Sequence, residues 1–209
     1  MKFAAVIPAY NEEKTIAQVV SVLKSSPYIQ QVVVVSDGSV DATAAVAAQT
    51  GALVVTLPEN VGKGGAMMAG IKQTDAQYIM FLDADLIGLT PGHVEKMLEP
   101  ILSGRTDMTI GVFKKGRPTT DMAQKLAPYL SGQRVVRADY FRRMENLDIA
   151  RFGVELALTR FLEENEIPYE VVELEDLSHV MKEEKLGFWR GVLARLKMYW
   201  EILTYLLRN

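Results

Sequence analysis

The chain has 209 residues, 49% of them hydrophobic and 23% charged, the balance of a folded protein long enough for one large core or two small ones. A net charge of −3 gives no general attraction for nucleic acid, and the absence of cysteine excludes disulfides and thiolate metal sites and fits a reducing compartment. No uninterrupted run of about 18 apolar residues occurs, so no membrane-spanning helix is expected, and the opening apolar run is too short for a signal peptide.

Phe3 to Ile7 reads as a first buried strand, ended by Pro8, which donates no ladder hydrogen bond. Asn11 is expected to cap a helix whose first turn carries Glu12 and Glu13 and whose inner face carries Ile16, Val19, Val20 and Leu23. Val32 to Val35 is a second strand, running into Ser36-Asp37-Gly38-Ser39, and Asp41-Ala42-Thr43 opens the next helix. Leu53 to Val55 is a third strand. A glycine-rich turn, Asn60 to Gly65, leads into a helix of small residues, Ala66 to Ile71. Tyr78 to Leu82 is a fourth strand. Strands thus alternate with helices at the spacing of βα units, which predicts an α/β protein with a mostly parallel, Rossmann-like sheet and helices on both faces. Right-handed crossovers put the carboxyl ends of those strands on one rim.

The second half is more varied. Pro91 starts a helix with Val94, Met97, Leu98, Ile101 and Leu102 inward, and His93 near its start is assigned to structure. Met108 to Val112 is a strand, 114–120 a basic loop, Ser131 to Arg137 a turn and short segment, 153–164 a helix. Tyr169 to Leu174 is a strand with Val171 and Leu174 as candidates for burial, and His179 follows in a polar turn. The expected organisation is a single domain, with a nucleotide-type half at 1–104, a variable half at 105–185 and an amphipathic helix at 186–209.

The fourth strand ends in Asp83-Ala84-Asp85. In open α/β sheets ligands bind at the carboxyl ends of the strands, and two aspartates there suit a hard divalent cation; the alternative is a solvated acidic turn. Gly62-Lys63-Gly64-Gly65 fails both the Walker pattern and the dinucleotide fingerprint. Lys63 can still meet diphosphate oxygens as a point charge, or be a solvated turn lysine. Arg134 and Arg137 are candidates for a substrate phosphate, or surface arginines. Glu155 is either a general base or orienting group for a substrate, or a helix-start acid favoured by the dipole.

Taken in order, Val6-Ile7-Pro8-Ala9-Tyr10-Asn11-Glu12-Glu13, Ser36-Asp37-Gly38-Ser39-Val40-Asp41-Ala42-Thr43, Gly62-Lys63-Gly64 and Asp83-Ala84-Asp85 resemble the family 2 type glycosyltransferases with the GT-A fold. More faintly, Ser131-Gly132-Gln133-Arg134, Phe152-Gly153-Val154-Glu155 and His179 are similar to the glucosyl-3-phosphoglycerate synthases and their mannosyl relatives, and the first half is equally similar to the polyprenyl-phosphate sugar transferases. The resemblance implies that Pro8, Ala9 and Tyr10 lie along the base and ribose, Glu12 holds a ribose hydroxyl, Asp37 beside Gly38 recognises the base and Lys63 meets the diphosphate. It further implies that Asp83 and Ala84 contact the donor, that Ser131, Gly132 and Arg134 line the substrate site, and that Asp85 and His179 bind Mg2+ or Mn2+. The first acid of the family's Asp-Asp-Gly-Ser is Ser36 in this chain.

The activity implied is a metal-dependent hexosyl transfer from a nucleoside diphosphate sugar to a small phosphorylated or hydroxylated acceptor. Polyprenyl phosphate or a glycolipid is the other acceptor class, and a non-catalytic nucleotide-sugar module the rival of another kind. No nucleic acid partner is expected. The expected location is the cytoplasm, with the aromatic and basic helix at 187–209 open to a membrane surface or a second copy of the chain.

Overall fold

The computed structural model describes residues 1–113, 131–143, 158, 161 and 163–179. The basic loop 114–120, most of the expected helix 153–164 with Glu155, and the final helix 186–209 lie outside the described residues.

Strand β1 (Phe3–Ala9), helix α1 (Ile16–Ser25), β2 (Ile29–Asp37), α2 (Thr43–Gln49), β3 (Leu53–Leu57), α3 (Gly62–Ile71) and β4 (Tyr78–Phe81) follow one another as the alternation predicts. Then come β5 (Leu86–Ile87), α4 (Pro91–Leu102), β6 (Met108–Phe113), β7 (Gln133–Arg137), α5 (Ala138–Arg143), β8 (Tyr169–Leu174) and β9 (Ser178–His179). Seven strands form one sheet in the order β3-β2-β1-β4-β7-β6-β8, and β5 pairs with β9 in a second, two-stranded sheet. Strand β1 is parallel to β2 and β4, β2 to β3 and β6 to β8, whereas β7 runs against both its neighbours.

Strands covered on both faces need apolar residues at successive positions, and β1 shows how they divide. Phe3, Ala5, Ile7 and Ala9 join one core with Ile16, Val19, Val20 and Leu23 of α1 and Val94, Met97, Leu98 and Ile101 of α4. Ala4 and Val6 join the opposite core, with Ala66 and Met67 of α3 and Tyr140 and Phe141 of α5. Helix α4 starts in a capping box, in which Thr90 Oγ1 accepts from the His93 N–H (3.3 Å) and His93 Nδ1 accepts from the Thr90 N–H (3.2 Å). The structural assignment of His93 matches that geometry.

Several local expectations are corrected. Pro8 does not end β1: it pairs with Val35, and the ladder runs on to Ala9. Pairing with β4 stops at Val6, so Pro8 lies where β1 has β2 alone beside it and its missing N–H interrupts nothing on the far side. Asn11 does not cap α1, whose first turn contains no acid and whose N-cap is Thr15. Helix α3 begins at Gly62, so the glycine-rich stretch is the first turn of the helix. Leu102 is 37% exposed and Val171 44%, while Leu174 is fully buried. His179 belongs to a short strand rather than a turn.

Helix α3 lies close to the sheet because of Gly70. A β-carbon there would lie 3.0 Å from Val35 Cγ2 and nearer still to Val6 Cγ1. Both valines are stiff at χ1 and anchored in central strands, so neither can give way. Gly70→Ala is therefore expected to destabilise the fold by about 1–3 kcal/mol, despite the better helix propensity of alanine, as measured by urea unfolding.

The amino-terminal edge of β4 carries a separate polar cluster. Asp107 accepts from the hydroxyls of Tyr140 (2.6 Å) and Tyr78 (3.1 Å) and from Arg137 Nη1 (3.4 Å). Burial first, then the Asp107 carboxylate, pushes the Tyr140 hydroxyl up to about 12. Arg137 thus serves a structural cluster at the edge opposite the strand ends, which sets aside its reading as a phosphate ligand.

Candidate functional site

The carboxyl ends of β1 and β2 are laced together by their loops. The Asn11 main chain takes φ 57. Its N–H donates to Ser39 Oγ (3.2 Å), and its Oδ1 accepts from the Val40 N–H (2.9 Å). The Glu12 N–H donates to Thr43 Oγ1 (2.7 Å), and the Glu13 N–H to Asp41 Oδ2 (3.2 Å). Glu13 Oε2 returns the link by accepting from the Ala42 N–H (2.9 Å). Asn11 is thus the stitch between two loops and presents Tyr10, 48% exposed, beside the exposed Val40. Ala9 is buried at the strand end, Pro8 and Glu12 are half-buried, and Gly38 makes the turn after β2 at φ 66.

This lattice is acid-sensitive in a defined direction. Desolvation raises the affinity of Asp41 for its proton, but hydrogen bonds from the Thr43 side chain and main chain and from the Glu13 N–H outweigh it and hold Asp41 below its ordinary 3.8. A depressed carboxylate contributes stability that is present above the unfolded value and lost as pH falls through the folded one. The thermal melting points of the native chain and of Asp41→Asn are therefore expected to differ near neutrality and to converge as pH drops below 3.8.

Asp37 is buried at the end of β2. It is 3% exposed, and its two oxygens accept from the main-chain N–H groups of Val61 (2.8 Å) and Gly62 (3.0 Å) at the start of α3. Those are the donors a helix start leaves unsatisfied, and the charge favours the positive end of the dipole. Ser36, at 1% exposure, stands where the family pattern has its first acid. A second carboxylate so deep would need its own partner, a demand a hydroxyl makes far more weakly.

Helix α3, so fixed, carries Lys63 in its first turn. Lys63 Nζ lies 2.5 Å from Asp83 Oδ1, in the loop after β4, with side chains 37% and 30% exposed. The other oxygen, Asp83 Oδ2, accepts from Gln133 Nε2 at 2.7 Å. The antiparallel register that sets Phe81 opposite Arg134 carries Gly132 and Gln133 alongside Asp83. Gly132 packs against the ion pair so closely that a β-carbon there would lie 2.6 and 2.7 Å from the Asp83 oxygens and nearer still to Lys63 Nζ. Ser131 Oγ bonds the Gly111 carbonyl and accepts from the Gln133 N–H (3.2 Å). Arg134 is no surface arginine: it is 1% exposed, and its Nε donates to the Ser131 carbonyl (2.8 Å).

Ala84 is buried and Asp85 half-buried. Strand β5 follows directly and pairs antiparallel with β9, with Leu86 opposite His179. The main chain of a residue near the far end of the described chain is thereby brought next to the residue after Asp85. Among the described residues, no group of three or more His, Cys, Asp or Glu residues could hold a metal ion.

Sequence reasoning singled out neither Gln133 nor the loop lattice of Asn11, Ser39, Asp41 and Thr43 as site-building. The signal for Gln133 was its neighbourhood, a polar residue between the site candidates Gly132 and Arg134. The signal for the lattice was the density of Ser, Asn, Asp and Thr beyond two buried strands, residue types that bond main-chain groups in turns.

The model of the family described as Glycosyl transferase family 2 matches residues 4–151. The chain belongs to that family. The chain is similar to the uncharacterized protein MJ1222 of Methanocaldococcus jannaschii, 41% identical over 110 residues, a stretch covering 51% of this chain and 44% of that protein. The glucosyl-3-phosphoglycerate synthase of Mycolicibacterium smegmatis is 34% identical over 109 residues, covering 48% of this chain and 36% of the enzyme. The chain thus spans less than half the length of either relative. Among solved structures, glucosyl-3-phosphoglycerate synthase from Mycobacterium tuberculosis in complex with Mn2+ and UDP-glucose superposes with a TM-score of 0.70 at 25% identity, covering 86% of this chain and 71% of that one. The mostly parallel α/β fold is therefore the family's GT-A fold. No helix among the described residues is long and apolar enough to cross a membrane.

Proposed function

We propose that this chain is a metal-dependent glycosyltransferase that takes a sugar from a nucleoside diphosphate sugar. The observation that carries the reading is the meeting of Lys63, Asp83, Gln133 and Gly132 beside Asp85, at the rim where the Tyr10 loop also ends. In this reading Tyr10 and its neighbours Pro8 and Ala9 receive the base and ribose, and Glu12 a ribose hydroxyl. Lys63 exchanges Asp83 for diphosphate oxygens, and Asp83 then serves the donor's hydroxyls. Asp37 acts beneath the base by setting the start of α3, and Gly38 makes the turn above it. Ser131 and Gly132 form the wall on the acceptor side, with Arg134 buried behind them, and Glu155 is the candidate base. The donor half, 1–104, and the acceptor half, 105–185, share one sheet.

The protein donors suit Mg2+ or Mn2+ in a particular way. Asp85 would offer carboxylate oxygen and His179 imidazole, from backbone segments one residue out of register. Hard divalent cations of this kind are commonly held by few protein groups together with substrate phosphates and water. When bound, the cation supplies Lewis-acid stabilisation of the leaving diphosphate. Lys63, once it has exchanged Asp83 for diphosphate oxygens, adds a positive charge to the same leaving group.

The acceptor we favour is a small phosphorylated or hydroxylated metabolite, in keeping with the mycobacterial relative being a glucosyl-3-phosphoglycerate synthase. A thermal-shift screen of nucleoside diphosphates with and without Mn2+ tests the donor reading: one base should stand out, and only with metal. Stabilisation indifferent to Mn2+ would overturn the metal role. Sedimentation of the chain with liposomes, lost on removing 187–209, would favour the lipid-linked acceptor instead.

A further inference from the structure

We propose that Gln133 is a positioning residue that fixes the Asp83 carboxylate, and through it Lys63, in the donor site. The inference rests on the reading of Asp83 and Lys63 as donor-binding groups and adds a role to a residue outside that set. The Lys63–Asp83 pair alone is a poor source of order: both side chains are about a third exposed, Lys63 is long, and exposed ion pairs restrain geometry weakly. Gln133 is of another kind. It is 2% exposed, it begins a strand in the middle of the sheet, and its N–H is tied to Ser131 Oγ. Its side-chain Oε1 lies 3.2 Å from the same Ser131 Oγ, which anchors the amide close to the strand.

From that anchored stem the amide Nε2 donates to Asp83 Oδ2, while Asp83 Oδ1 faces Lys63. The carboxylate is thus divided, with one oxygen held by a buried group and the other given to a cation that can leave. When diphosphate draws Lys63 away, Oδ2 stays bonded and Oδ1 is released already aimed, so the aspartate need not find its rotamer again. A neutral amide donor meets this need without adding charge. A glutamate of the same shape would set a second carboxylate against the first, and a methionine would offer no donor.

The test uses Gln133→Met and Gln133→Glu in the full chain. The lysines are reductively methylated with 13C, and the Lys63 signal is assigned by its loss in Lys63→Arg. In Gln133→Met the ligand-free Lys63 resonance should move toward those of solvated lysines. The affinity for UDP-glucose with Mn2+ should fall about tenfold, the scale of one lost hydrogen bond to a charged group, with the melting point little changed. Gln133→Glu should weaken binding further than methionine does. An unmoved Lys63 resonance with native affinity in Gln133→Met overturns the proposal. So does a lowered melting point with native affinity in the folded protein, which marks a merely structural glutamine. If the native chain binds no nucleoside diphosphate sugar, the donor reading fails, and the lysine resonance still decides whether Gln133 positions the pair.

Discussion

Asp85→Ala is expected to abolish metal-dependent donor binding while leaving the fold intact. The residue lies beyond the end of β4, half-buried, and no core depends on it. It directly precedes β5, which β9 joins with His179 opposite Leu86. Without the Asp85 carboxylate an ion between protein and diphosphate would keep the imidazole as its remaining side-chain ligand in this reading. A directed electrostatic contribution of this kind is worth about 3–4 kcal/mol at the transition state, or roughly 10²- to 10³-fold in turnover. Calorimetric titration of the nucleoside diphosphate selected by the thermal-shift screen, with and without Mn2+, reads the binding part. Release of that diphosphate from its sugar conjugate reads the rate. Persistent Mn2+ dependence in the variant would remove Asp85 from the metal site.

Gly132→Ala should be nearly as damaging to donor binding, for a steric reason. The added methyl carbon would stand 2.6 and 2.7 Å from the two Asp83 oxygens, with Lys63 Nζ closer still. The lysine end is flexible and can retreat. The aspartate is short, and Gln133 grips one of its oxygens. The ion pair therefore gives way before the sheet does. Donor affinity is expected to fall about 10- to 100-fold, with a stability change of about 1 kcal/mol or less, because neither core is touched. Equal losses in melting point and affinity would show that the glycine serves the strand rather than the site.

Much of the sheet was readable because Phe3 to Ile7, Val32 to Val35 and Tyr78 to Leu82 are runs that only burial on both faces explains. The rim followed from handedness alone. What escaped were contacts made by elements arriving from elsewhere. Asp37 was read for the base alone, because nothing near it in sequence announces the helix start at Val61 and Gly62 that it caps. Gln133 looked incidental because its partner, Asp83, becomes a neighbour only once β7 has entered the sheet backwards. Asn11 looked like a helix cap by residue type, and the competing main-chain donors of the next loop claimed it.

The backward entry of β7 also bears on how the chain is made. Strands β1 to β4 assemble from successive local units, so most of that half can form as it leaves the ribosome. Strand β4 then waits with one flank unpaired until Gln133–Arg137 emerges, and β6 waits with it. During that interval the nascent chain presents the bare edge of Tyr78–Phe81, a short, wholly apolar strand of the sort that other chains adhere to. Conditions that slow synthesis between β6 and β7 should lengthen this exposure, and aggregation of newly made chains would be its symptom.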